Sequence, residues 1–209
     1  MLVQRRNAKL TLIPETEAER ELLSDWQTAL TDRLIEVAFD KAGTANLFPT
    51  AGHSERDAQI NITFHAARPD WRLISNLAAT PFDLDGRHYA SIEGFWQGLK
   101  SPDEAERRRI AGLSGQSAKR AGSNVRLGDI IVYDGTEVRI GTVDHWALME
   151  RACRAKFDQC APARDALIAT APRPLVHKVA VDSRTIPGIV MADIWTRIRA
   201  DILACSDGD

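Results

Sequence analysis

Glu93, Gln97 and Lys100 lie in the run SIEGFWQGLK, residues 91–100, at spacings of four and three. On a helix turning about 100° per residue they fall within an arc of roughly 60°. Ile92, Phe95, Trp96 and Leu99 form the apolar stripe beside them. A polar row that borders bulky aromatics, instead of lying opposite them, belongs at the edge of a cleft. A lysine packed by Trp96 and Leu99 is desolvated there, which lowers its pKa and frees an amine nucleophile. A carboxyl on the same row, Glu93, gives or takes protons at the same ligand. The plainer alternative is a solvated face, with Gln97 bonding across it. Gly94 and Gly98 sit on the other flank. Each costs about 1 kcal/mol against Ala in a helix, so two on one side predict the close approach of another backbone.

The elements that position this row are read from pattern. Ser91 is the expected N-cap. Upstream, FDLDGRHY (82–89) reads as a hairpin turning at Asp85-Gly86, and INITFH (60–65) alternates like a strand. Downstream, helices are expected over 103–111, opened by Pro102, and over 117–121, 142–157, 163–170 and 190–204. Short extended runs are expected at 130–133 and 175–181. Before the site, KLTLI (9–13) and 34–39 read as strands. Pro14 opens a helix with Thr16 as a cap and Leu22, Leu23, Trp26 and Leu30 on one face. Residues 41–59, rich in Gly, Ser, Thr and Pro, read as a loop and as the one plausible boundary. Helices outnumber strands without strict alternation, which predicts an α+β protein, mainly helical with a small sheet. The division expected is a single domain over 60–209 with an N-terminal β/α extension, 1–59, packed on it.

Composition narrows the function classes. The 209 residues are 44% hydrophobic and 27% charged, which is a globular balance. A net charge of -2 gives no global pull toward nucleic acid or anionic membrane, so any phosphate-binding surface is local. Cys153, Cys160 and Cys205 are an odd set without a CxxC pair, which argues against a disulfide framework and for a reducing, cytoplasmic setting. No run approaches the roughly 18 apolar residues of a membrane span. The five histidines share no metal spacing with each other or the cysteines, so no metal and no cofactor is expected.

Several pieces, read together, resemble the NADAR family, N-glycosidases linked to NAD and ADP-ribose. Ser75, Asn76, Leu77, Pro81, Phe82, Gly86, Tyr89, Ser91, Glu93, Gln97 and Lys100 occupy the positions of its signature. Ala118-Lys119-Arg120-Ala121-Gly122, Met149 with Arg154-Ala155-Lys156-Phe157, Leu167 to Val176, Asp182 and Arg199 come after them in the family's order. The similarity spans about 140 residues, the size of one domain. It implies cleavage of an N-glycosidic bond at ribose C1, with Lys100 forming a Schiff base, Glu93 shuttling protons and Asp182 completing the catalytic set. Implied for substrate binding are Ser75, Asn76, Gln97, Trp96, Lys119, Arg120, Gly122 and His177. The substrates implied are ADP-ribosylated guanine in nucleic acid, which the local basic segment favours, or a ribosylamino-pyrimidine phosphate of riboflavin biosynthesis. A sensor that binds ADP-ribose or NAD without turnover is the reading from another class.

The chain departs from the family pattern near the ligand. The usual Trp-Gly pair after Asp182 is absent, with Ile186-Pro187 in its place. His177 stands where many members carry Glu, and Ser123 where an arginine is common. Arg107, Arg108, Arg109, Lys119, Arg120 and Arg126 make a local basic patch or a solvated face. Lys119 and Arg120, in the Gly-flanked run 112–122, are the better phosphate candidates. Lys156, near the end of a long helix, reads as a partner of the helix dipole.

Overall fold

A computed structural model of the chain describes residues 2–6, 9–29, 34–50, 59–123, 125 and 128–206. The N-terminal part holds β1 (Leu2–Arg6) paired antiparallel with β2 (Lys9–Ile13), then α1 (Glu17–Ala29). Thr16 accepts from the Glu19 amide at 3.2 Å while the Glu19 carboxylate accepts from the Glu15 and Thr16 amides, a reciprocal cap. Leu22, expected on a buried face, is 55% exposed. Trp26 falls among side chains, and Leu30 among residues, that the structure does not describe.

β3 (Leu34–Phe39) pairs antiparallel with β4 (Ala45–Thr50), so the first part of the expected loop 41–59 is a strand. Residues 45–50 contain Pro49 and lack clean alternation, and pairing with β3 overrides both. The turn between them is built by Asp40, whose carboxylate accepts from the Thr44 amide at 2.7 Å. Residues 51–58 lie outside the described set.

The elements that carry the site begin at Ile60. β5 (Ile60–Asn61) pairs in parallel with β10 (Leu175–Val176). Both are shorter than expected: after Ile62 the chain turns, with the Ala66 amide donating to the Thr63 carbonyl, and the Asn61 side chain replaces the ladder by bonding Lys178. α2 (Pro69–Arg72) leads to the hairpin of β6 (Phe82–Leu84) and β7 (Arg87–Tyr89). Its turn has φ of 50° at Asp85 and 73° at Gly86, the pair of left-handed residues that a tight hairpin needs.

Then come α3 (Ile92–Leu99), α4 (Glu104–Ala111), α5 (Gly115–Ser123), β8 (Ile130–Tyr133), β9 (Thr136–Arg139), α6 (Val143–Gln159), α7 (Ala161–Ile168) and α8 (Gly188–Ser206). Asp103, not Pro102, opens α4, its carboxylate accepting from the Glu106 amide at 2.7 Å.

The protein is α+β. Among the described residues are eight helices and, in place of one small sheet, five separate two-stranded sheets. The core lies around α3, whose Phe95 meets Phe82, Tyr89 and Tyr133 at ring separations of 5.0–6.4 Å. α6 contributes Met149, Cys153 and Phe157, and α8 contributes Ile194, Trp195 and Ile198. The N-terminal part meets this body where the Lys41 amide donates to the Gly141 carbonyl at 2.8 Å and the lysine stem lies against Gly141. Among the described residues, no helix is long and apolar enough to cross a membrane.

Candidate active site

Sequence sets the orientation of α3 from both sides. Ser91 Oγ accepts from the Gly94 amide at 2.9 Å and donates to the Leu113 carbonyl at 2.9 Å, fixing where the helix starts. A Cβ on Gly94 would lie 2.4 Å from the Leu113 carbonyl oxygen, and one on Gly98 would lie 2.9 Å from that of Arg107. The thinned flank therefore carries α4 and the turn after it. With that flank and the apolar stripe both buried, the polar row looks into a cavity of about 650 Å³. One wall is α3 and α5. The other comes from the segments that leave β5 and β10 side by side.

Lys100 caps the C-terminus of α3, with Nζ 5.1 Å from the centre of the Trp96 ring. Burial lowers its pKa below the usual lysine range; the Glu93 charge opposes this and the Lys119 charge adds to it. Glu93 is held at both ends. Its amide donates to the Asn76 carbonyl and its Oε1 accepts from Gln97 Nε2, each at 2.8 Å. Gln97 is buried, and a Cβ on Gly122 would fall 1.9 Å from its Oε1, so only glycine leaves the amide its place. Asn76 Nδ2 reaches Met191 Sδ at 3.6 Å, while Asn76 Oδ1 is buried without a partner.

The other wall is built differently. His177 Nδ1 donates to the Ile62 carbonyl at 2.6 Å, and its ring meets Trp195 edge-on at 5.4 Å. A carbonyl only accepts, so the proton is on Nδ1, and in the neutral ring Nε2 is left as an acceptor. Asp182 lies at the rim. Its carboxylate accepts from the Ser183 and Gly188 amides at 2.8 and 2.9 Å and so caps the start of α8.

The structure thus brings Lys100, Glu93, Asp182, Ser75, Asn76, Gln97, Trp96, Lys119 and His177 to one cavity. Arg120 and Gly122 are not in its lining: Arg120 is exposed on α5 and Gly122 backs Gln97. The three consecutive arginines are occupied elsewhere. Arg108 pairs with Glu104, Arg109 with Glu106, and Arg107 donates to the Ser101 and Val132 carbonyls. Arg126 lies outside the described residues.

Two residues have roles that sequence reasoning missed. Lys156 is fully buried and is an anchor, not a dipole partner: Nζ donates to the Ile74 and Ser75 carbonyls at 3.0 Å. Burial brings its pKa down to about 8. It fixes the loop whose next carbonyl, Asn76, holds Glu93. His145 is also buried, with its ring centre 4.5 Å from that of Trp96, and burial lowers its pKa to about 4. The sequence holds a signal for both: positions 145, 149, 153 and 156 share the apolar stripe of α6.

Comparison with known proteins agrees with this fold. The family described as bacteriophage protein GP30.3 matches residues 70–193. N-glycosidase YbiA of Shigella boydii is 32% identical over 132 residues, covering 63% of this chain and 76% of that one. The Escherichia coli K12 protein of the same name is 31% identical over the same shares. An uncharacterized 17.1 kDa protein of Enterobacteria phage T4 is 47% identical over 49 residues, 23% of this chain and 32% of its own. The solved NMR structure of E. coli YbiA superposes with a TM-score of 0.54 at 26% identity, covering 71% of this chain and 86% of that one.

These similarities put the protein in the class of N-glycosyl hydrolases. The chain belongs to the NADAR family.

Proposed function

We propose that the protein hydrolyses the N-glycosidic bond of a phosphate-bearing ribosylated base through a Schiff base between Lys100 and ribose C1. The observation that carries this reading is the Lys100 amine, half-buried at the wall of a sugar-sized cavity beside the Glu93 carboxyl. Glu93, as the general acid, passes a proton to the departing base nitrogen as the C1–N bond breaks. The free amine bonds C1, the ring C1–O bond opens, and the ring oxygen takes a proton from the lysine nitrogen. Water then adds to the iminium carbon and loses its proton to Glu93. Collapse of that adduct releases the sugar phosphate and the amine. Asp182 shapes the rim that faces the ribose, and Lys119 is the cation for the phosphate.

The cavity is of ordinary ligand size, inside the roughly 300–1,000 Å³ range. Arg107 is turned onto the Ser101 and Val132 carbonyls, and Arg108 and Arg109 are each paired with a glutamate of the same helix, which reduces the positive charge offered to a strand. The favoured substrate is therefore a free ribosylamino-pyrimidine phosphate. ADP-ribosylated guanine in nucleic acid is the second reading, favoured by exposed Lys119 and Arg120 side by side on α5. The setting inferred is the cytoplasm, on three free cysteines. Residues 60–209 are read as the catalytic domain and 1–59 as its extension.

The test is a turnover assay with both substrates, read by mass spectrometry, beside borohydride trapping of the parent protein and Lys100→Ala. Product together with a sugar adduct that the variant lacks is the expected result. Binding without product or adduct in either protein would replace the hydrolase by a sensor.

A further inference from the structure

The two walls of the cavity differ in chemistry. The α3–α5 wall carries Glu93, Gln97, Lys100, Gln116 and Lys119. The opposite side carries His65, His177, Asp182, Ser183 and Thr185 without a lysine or arginine, and among them it presents apolar side chains to solvent: Phe64 is 36% exposed, Val179 44% and Val181 86%. Such residues gathered at the mouth of a polar cavity mark a surface that a ligand covers. The backbone fixes the segments that bear them. The Ile62 amide donates to the Val176 carbonyl, His177 Nδ1 to the Ile62 carbonyl, and the Lys178 amide to Asn61 Oδ1. The segments bearing Phe64 and Val179 therefore leave the β5–β10 pair at one end. Phe64 is also set edge-on to His65 at 5.4 Å.

We propose that Phe64, Val179 and Val181 form the subsite for the planar base of the substrate, opposite the cationic wall that takes the sugar phosphate. This rests on the glycosidase reading above and adds an orientation to it: C1 at Lys100, phosphate toward Lys119, base against Phe64 and the two valines. The division is one of charge. An anionic phosphate is drawn to Lys119, and an uncharged aromatic ring is driven to the apolar rim. Val179 and Val181 stand just before the stretch 183–187, which holds Ile186-Pro187. Ile186, in that stretch, lines the cavity while 7% exposed. Flat apolar contact with the base thus comes here from residues on the strand exits.

The experiment uses the full chain and two probes that report the two ends of the substrate. 6-Aminouracil, titrated by calorimetry, reads the base subsite. Ribose 5-phosphate with borohydride, read by intact mass, reads Lys100. In Phe64→Ser and Val181→Ser the dissociation constant of 6-aminouracil should rise by about tenfold, with KM of the ribosylamino-pyrimidine phosphate rising in step. The ribose 5-phosphate adduct should form as in the parent protein. Unchanged 6-aminouracil binding in both variants overturns the subsite, and so does adduct formation that falls along with base binding. Absence of any adduct in the parent protein would sink the Schiff-base reading instead, and the base titration would still decide the subsite.

Discussion

Two lysines near the same cavity have opposite surroundings. Lys100 stands at the wall with a carboxylate and a second lysine in its field, and its amine reaches open volume. Lys156 stands behind the wall, buried on all sides, with its protons spent on two backbone carbonyls. Burial lowers both pKa values, and the effect is the stronger at Lys156. A depressed pKa is therefore not enough to make a nucleophile: the amine must also meet a ligand. The first lysine is the nucleophile we propose, and the second holds still the loop from which Glu93 is aimed.

The comparison can be broken most directly at the first site. Lys100→Ala should lower turnover on the order of 10³-fold or more and abolish the borohydride adduct, with the melting temperature little changed. An adduct surviving in that variant would move the chemistry to another amine. Glu93→Gln should cost about 10²-fold in kcat by removing the proton carrier, while ribose 5-phosphate, which has no base to expel, still forms an adduct. Lys156→Met tests the second site. Freed Ile74 and Ser75 carbonyls let the loop shift, and a misplacement of about 1 Å near the chemistry is worth up to about 10²-fold. The loss should fall on kcat, with circular dichroism unaltered.

The smallest effects are in the pH dependence of stability. Lys156 titrates near 8 in the folded chain against an ordinary 10.5. Between those values the unfolded chain binds more protons, so stability rises with pH, and Lys156→Met removes that rise. His145 is held near 4 against 6.5, so stability falls as pH drops through that window, and His145→Asn removes the fall. Urea midpoints measured at several pH values check both.

Local features of the site were legible because they depend on neighbours in sequence. The Ser91 cap, the Asp85-Gly86 turn and the Glu93, Gln97, Lys100 row all come from spacing, and the glycine flank meets backbone as expected. The features that escaped depend on distant partners. Lys156 bonds carbonyls more than eighty residues away, which no window on α6 reveals. β9 is a polar TEVR run, mostly exposed and recognisable only through its pairing with β8. The arginines of α4 read as a patch until Glu104 and Glu106 are seen folded back onto them. The strands expected at 60–65 and 175–181 were too long because a side chain, Asn61, takes over from the ladder.

One contact has a wider consequence. A Cβ on residue 188 would sit 2.1 Å from the His177 carbonyl oxygen, and the amide of Gly188 is clasped by Asp182. Both margins of the stretch 183–187 are thus riveted to the framework, and between them the Thr185 carbonyl accepts from Trp146 Nε1 at 2.9 Å and Ile186 is buried in the core. The stretch is therefore a hinge-free bridge: the cavity rim and the first turn of the final helix are joined as one rigid piece, so a change at Gly188 would disturb both together.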